Sequence, residues 1–310
     1  MKRPYPLLLK PVFKSYLWGG DRLKKEFGFD SGEPTTAEAW MLSCHKDGSN
    51  IVANGALAGT ALPDVLQQWG YEELPILIKL IDAKQKLSVQ VHPDQAYARL
   101  HEGENGKTEM WYVVDCAEGA ELSYGFQKKI SREEFEARIR DNTLDEVVNH
   151  VPVQRGDVFF IEAGTLHAIG EGILIAEIQQ SSNVTYRVSD YGRLGADGKP
   201  RALHVQKALD VTVTDVPSHP YGKIGAVTQH AHGSERTLCE CELFKVYHMD
   251  LNGKKHAKSN TVSALLMLEG QVSLGYADGE IKLSKGDSVL IPKDCEVTLH
   301  GKGQIIYTIA

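Results

Sequence analysis

Gln90 and His92 stand two residues apart on the run Ser88-Val89-Gln90-Val91-His92, which alternates polar and apolar residues and stops at Pro93. Period-two alternation places Gln90 and His92 on one face of a strand and Val91 on the other. Lys107 and Glu109 repeat that spacing at the mouth of a second strand-like run, 109 to 116. His167 follows a third such run, 157 to 161, and a Gly164-Thr165 turn. If these faces converge, they offer two imidazoles, a carboxylate and a neutral amide oxygen. Two His and one carboxylate leave positions open on a metal, as a catalytic site requires, and the amide of Gln90 adds a weaker fourth ligand. Taken singly, each residue is ordinary: a lone Lys-x-Glu on a strand is usually a solvated cross-strand pair. The joint spacing carries the signal.

The surrounding elements read mainly as strands. Residues 1 to 60 mix short apolar segments with turn signals, with a short helix near Asp21 to Phe27 ended by Gly28. Pro63 to Trp69 reads as a helix with Gly70 as its stop. Residues 75 to 92 are strand-like, and Asp94 to Leu100 forms a helical turn. Ser131-Arg132-Glu133-Glu134 and Thr143-Leu144-Asp145-Glu146 are capping boxes and predict two short helices over 131 to 149. Their apolar faces take Phe135, Ile139, Val147 and Val148. Strands return at 157 to 161, 172 to 179 and 184 to 188. The polar stretch 213 to 240, with Pro217 and Pro220, reads as a linker. From about 243 onward short alternating segments and glycine turns predict a β-sandwich or small barrel.

A weak internal repeat links the two halves. Gly156-Asp157-Val158-Phe159-Phe160-Ile161 parallels Gly286-Asp287-Ser288-Val289-Leu290-Ile291. Val297 of the second copy matches His167 of the first, so the chain reads as two similar β-barrels with the polar side chain kept in one.

Composition narrows the function. The chain has 310 residues, long enough for about two domains, with 42% hydrophobic and 24% charged residues. Its 34 basic against 41 acidic residues give a net charge of −7, which excludes a strongly basic polyanion binder but leaves room for a local phosphate grip. No apolar run approaches the roughly 18 to 20 residues that span a bilayer. The N-terminal Met1-Lys2-Arg3-Pro4 does not read as a signal peptide, since Lys10 and Pro11 break the apolar stretch that follows. Five cysteines, an odd number with one close pair at Cys239 and Cys241, suit a reducing cytoplasm. A zinc site on that pair would need two more soft ligands, and no second pair exists. No Gly-rich nucleotide loop and no helix-turn-helix is present, so ATP chemistry and a DNA-binding sensor are disfavoured.

The runs Leu87-Ser88-Val89-Gln90-Val91-His92-Pro93, Lys107-Thr108-Glu109-Met110-Trp111 and Gly164-Thr165-Leu166-His167-Ala168 resemble the type I mannose-6-phosphate isomerases, in their short bacterial form. Trp18-Gly19-Gly20, Ala37-Glu38-Ala39-Trp40, Leu77-Ile78-Lys79 and Asn183-Val184-Thr185-Tyr186-Arg187 extend the likeness over nearly the whole chain. The resemblance implies two cupin (jelly-roll) barrels with short helical insertions in and around the first. It implies a catalytic domain over 1–240 and a metal-free cupin over 241–310. The activity implied is a zinc-dependent aldose–ketose isomerase, with one Zn²⁺ per chain on Gln90, His92, Glu109 and His167. Arg187 would be the catalytic arginine, Lys107 would move a proton or orient the substrate, and Lys79 and Ser88 would face the phosphate. The partner expected is a small sugar phosphate, with no nucleic acid or membrane, and the chain a monomer or weak homo-oligomer. Long members differ after the catalytic arginine, so no role transfers to Asp190 or Arg193. The rival readings are an Fe(II) cupin oxygenase, which shares the two-His-one-carboxylate set, and a non-catalytic sugar-binding cupin.

Overall fold

The computed structural model describes residues 4–195 and 198–310, so Met1 to Arg3 of the N-terminal run lie outside it. Two facing sheets build the first half. A six-stranded sheet runs in the order Val158–Ile161, Glu109–Cys116, Ile173–Gln180, Ile76–Ala83, Glu38–Leu42, Val12–Lys14. A five-stranded sheet runs in the order Val148–Pro152, Glu121–Phe126, His167–Ala168, Val89–Val91, Tyr186–Ser189. Between them Trp111, Phe159, Ile173 and Ile175 are wholly buried, with Leu122 and Tyr124 opposite. Strands Ile76–Ala83 and Ile173–Gln180 are buried at every position, on both faces. That is why they read as near-continuous apolar runs and not as alternating ones.

The second face of the six-stranded sheet packs on a nine-stranded sheet made mostly from the C-terminal chain. Met110, Leu80 and Ile178 from the first meet Leu266, Leu290 and Ile306 from the second in one apolar cluster. The predicted short strands after 243 are instead long: Lys245–Ala257, Ser263–Tyr276 and Val297–Ile309 run 13, 14 and 13 residues. Glycines let these strands bend without ending. Gly270 has φ +83, and a Cβ there would meet the Lys302 carbonyl oxygen at 2.3 Å.

The predicted linker at 213 to 240 is corrected in its second part. Val227–His230 and Gly233–Glu240 form a hairpin on the edge of the nine-stranded sheet. Their polar composition reflects an exposed edge and not a lack of structure. Strand Leu7–Lys10, at the other end of the chain, also joins this sheet through Ser288–Ile291.

Helices follow their local signals. Gly28 ends helix Arg22–Phe27 at φ +71. Ser131 caps helix Arg132–Arg140 by accepting the Glu134 N–H. Thr143 makes no such bond, and its segment forms only a single 3₁₀ turn, Leu144–Glu146, before strand Val148–Pro152 begins. A helix absent from the sequence reading, Val205–Val211, packs with Phe135 and Leu144 over the outer face of the five-stranded sheet.

The internal repeat has a structural counterpart. Gly156 and Gly286 share φ +89, and Asp157 and Asp287 each accept the backbone N–H three residues back at 2.8 Å. Strand register then matches Glu109, between Ile161 and Gln179, with Ser263, between Ile291 and Ile309. The same register sets the Lys79–Glu177 pair against Tyr247–Tyr307.

Candidate metal centre and active site

Both sheets contribute to one end of the sandwich. His167 pairs directly with Gln90 in the five-stranded sheet, and His92 lies one residue beyond strand Val89–Val91. Glu109 opens strand Glu109–Cys116 on the facing sheet. The two imidazoles lie with ring centroids 4.7 Å apart. One ligand atom from each of His92, Glu109 and His167 lies within 4.8 Å of the others, and all three residues are buried.

Hydrogen bonds orient the rings. His92 Nδ1 donates to the Val184 carbonyl at 2.8 Å, and His167 Nδ1 donates to that of Thr165 at 2.8 Å. Each Nε2 is thereby left as a lone pair, 3.6 Å and 3.5 Å from the two Glu109 oxygens. Both Glu109 oxygens are buried, Oε1 without a hydrogen-bond donor and Oε2 with the Lys107 ammonium at 2.9 Å as its partner. A buried carboxylate with one oxygen lacking a donor, beside two imidazoles whose Nε2 atoms turn toward it, fits a divalent cation. Burial holds both imidazoles toward the neutral form, His167 at about 4, which suits ligation. Burial, reinforced by Glu177, raises the Glu109 carboxyl.

Gln90 places its amide nitrogen 3.3 Å from His167 Nε2, and a half-turn of the amide presents its oxygen to the same region. Lys107 puts its ammonium 3.1 Å from His92 Nε2 and 2.9 Å from Glu109 Oε2.

A cavity of about 300 Å³ opens beside Gln90 and Lys107, with Lys79, Ser88, Glu177 and Arg187 also on its wall. Arg187 pairs across the strand with Gln90 and donates to the Ala202 carbonyl at 2.9 Å, while its buried Nε has no partner. Burial and then Arg201 depress its pKa, so a second guanidinium lies close by. Arg201 also lines the cavity and forks onto Asp190, which Arg193 holds as well. Lys79, by contrast, is 4% exposed and clasped by acids, 3.0 Å from Glu177 and 3.9 Å from Glu38. These carboxylates outweigh burial and raise its pKa.

The sequence reading thus brings Gln90, His92, Lys107, Glu109, His167 and Arg187 to one place. It missed Glu177, Glu38 and Arg201. Glu177 accepts the Trp111 indole N–H at 3.0 Å and links Lys79 to Lys107, and the two lysines overcome burial to hold its carboxyl down. The signal was present: one acid inside Ile173-Leu174-Ile175-Ala176-Glu177-Ile178, a run too apolar to hold an unpaired charge. Arg201 had none, since only the turn after strand Tyr186–Ser189 returns it to the cavity.

Comparison with known proteins identifies the family. Residues 7–126 match the family model for the phosphomannose isomerase type I catalytic domain, and residues 234–310 that for the mannose-6-phosphate isomerase cupin domain. The chain is 39% identical to a mannose-6-phosphate isomerase of Streptococcus mutans over 93% of this chain and 92% of that protein. It is 38% identical to the mannose-6-phosphate isomerase ManA of Bacillus subtilis, over 97% and 98% of the two chains. The crystal structure of a Bacillus subtilis mannose 6-phosphate isomerase superposes with a TM-score of 0.91 at 34% identity, covering 99% of this chain and 100% of that one. Matched at both ends and along its length, this chain belongs to the type I phosphomannose isomerase family.

Proposed function

We propose that this chain interconverts mannose 6-phosphate and fructose 6-phosphate, using one zinc ion held by His92, Glu109 and His167 with Gln90 as a weaker fourth ligand. The observation that carries this reading is the pair of imidazole Nε2 atoms facing one buried carboxylate, beside a cavity lined by lysines, arginines and acids. The reaction takes a proton from C2 of the aldose, returns one to C1, and shifts the hydroxyl proton from O2 to O1. A divalent ion in this site supplies Lewis-acid stabilisation of the negative charge that develops on the two sugar oxygens, and zinc adds no redox chemistry.

The chain's own groups do the rest. Lys107, placed between the ligands and the cavity, moves a proton or orients the reacting carbons. Arg187 aims a guanidinium with an unused Nε–H at developing oxyanion charge. Glu177 holds Lys79 and Lys107 in place through a short ion-pair chain. Ser88 and Lys79 face the phosphate end, where Arg201 adds a cation beside Arg187 that the acids around Lys79 do not neutralise.

The repeat supports two cupin barrels, with the division nearer the hairpin at 227 than at 240. In the second barrel Ser263 and Val297 stand where Glu109 and His167 would, so the buried ligand set has no counterpart at that position among the described residues. None of the five cysteines is in a disulfide, which fits a reducing cytoplasm. Among the described residues no helix is long and apolar enough to cross a membrane. An oxygenase would need open ground for dioxygen, whereas this cavity presents lysines, arginines and acids suited to a polar anion. A coupled assay of mannose 6-phosphate conversion, with and without chelator, tests the proposal. Zinc-restored turnover is expected, and turnover that survives metal stripping refutes it.

A further inference from the structure

The C-terminal half carries a second cluster of metal-ligating side chains, far in sequence from the first. His230, His232 and Glu235 each place one ligand atom within 4.8 Å of the others. The imidazoles of His230 and His232 stack with centroids 4.9 Å apart and planes 6° apart, and His232 Nε2 lies 2.7 Å from Glu235 Oε1.

The cluster rests on an ordered frame. His230 pairs with Gly233 across the two-residue turn of the hairpin. The His232 carbonyl accepts the Asn252 N–H at 2.7 Å, which ties the turn to a third strand. Gly233 has φ +125, and a Cβ there would meet the Asp250 carbonyl oxygen at 1.9 Å, so a glycine is needed for this close approach. The side chains of His232 and Glu235 are 17% and 19% exposed, a recessed pair with His230 open above them.

We propose that His230, His232 and Glu235 form a second, surface site for one divalent transition-metal ion of the zinc class, separate from the buried centre. Two nitrogens and one carboxylate oxygen suit zinc, nickel or copper and not calcium or magnesium, which take all-oxygen cages. At pH 8 an ordinary imidazole is neutral and its free nitrogen is a donor. Lys255 competes, because its ammonium sits on the same Glu235 oxygen. Binding therefore displaces the Lys255 ammonium from Glu235. The bound ion clamps strand Val227–His230, an exposed edge otherwise held along one side only.

Zinc alone is the probe, titrated at pH 8 into the full chain with ions per chain counted by equilibrium dialysis. The wild type is expected to bind one ion more than His230→Ala/His232→Ala, whose isomerase turnover is unchanged and shows that it folds. This difference reads the surface site whether or not the buried centre is filled. Lys255→Met is expected to tighten the extra ion, and zinc to slow amide exchange across His230 to Glu235 in the wild type only. Equal ion counts in wild type and double variant, or an extra ion that Lys255→Met weakens, would overturn the proposal.

Discussion

At the scale of single residues the site depends on charges that are buried but answered. Arg187→Ala removes a guanidinium without touching a ligand. Turnover should fall by about 10² to 10³, the size of losing one oxyanion donor, with metal content by atomic absorption unchanged. Glu177→Ala leaves Lys79 with Glu38 at 3.9 Å as its remaining close carboxylate. Breaking a buried pair of this kind costs about 3 to 5 kcal/mol, so urea unfolding should show a large loss of stability alongside lost activity. Arg201→Ala should raise KM for mannose 6-phosphate more than it lowers kcat. An unchanged KM would move the phosphate contact elsewhere.

Elements explain why those residues meet. The strand Ile173–Gln180 can place Glu177 between two lysines because it is hydrogen-bonded on both edges and cannot shift register. Beyond strand Tyr186–Ser189, Asp190 anchors the returning chain through Arg193 and Arg201. Burial alone would raise the Asp190 carboxyl, but hydrogen bonds from Arg201 and Arg193 outweigh it and hold it below the usual aspartate range. Its folded pKa is thus below its unfolded one, so its contribution to stability is present above the ordinary aspartate pKa of about 3.9 and is lost as pH falls below it. Asp190→Asn should flatten the fall of thermal stability as pH drops below the ordinary aspartate pKa. An acid limb identical to that of the wild type would show that the clamp carries no linkage.

Across the whole molecule, the two halves share one apolar cluster through the outer face of the six-stranded sheet. Leu266 is fully buried at this junction. Leu266→Ala should cost about 2 to 5 kcal/mol and lower the melting temperature of the entire chain in a single transition. Two separated transitions, with the first half unmoved, would show that the halves fold independently.

What was legible in the sequence was local. Alternation put Gln90 with His92 and Lys107 with Glu109, because a strand turns successive side chains to opposite faces whatever surrounds it. Gly28 and Ser131 marked helix ends through backbone needs that are met within a few residues. The repeat of Gly156-Asp157 at Gly286-Asp287 was readable for the same reason. Tertiary structure alone decided that Lys79 is neutralised by Glu177 and Glu38, that Arg201 returns to the cavity, and that the polar stretch at 227 to 240 forms an edge hairpin. It also decided that the C-terminal strands run long through their glycines. Each of these depends on which distant strand lies alongside, and pairing partners separated by many residues leave no periodic trace in either segment.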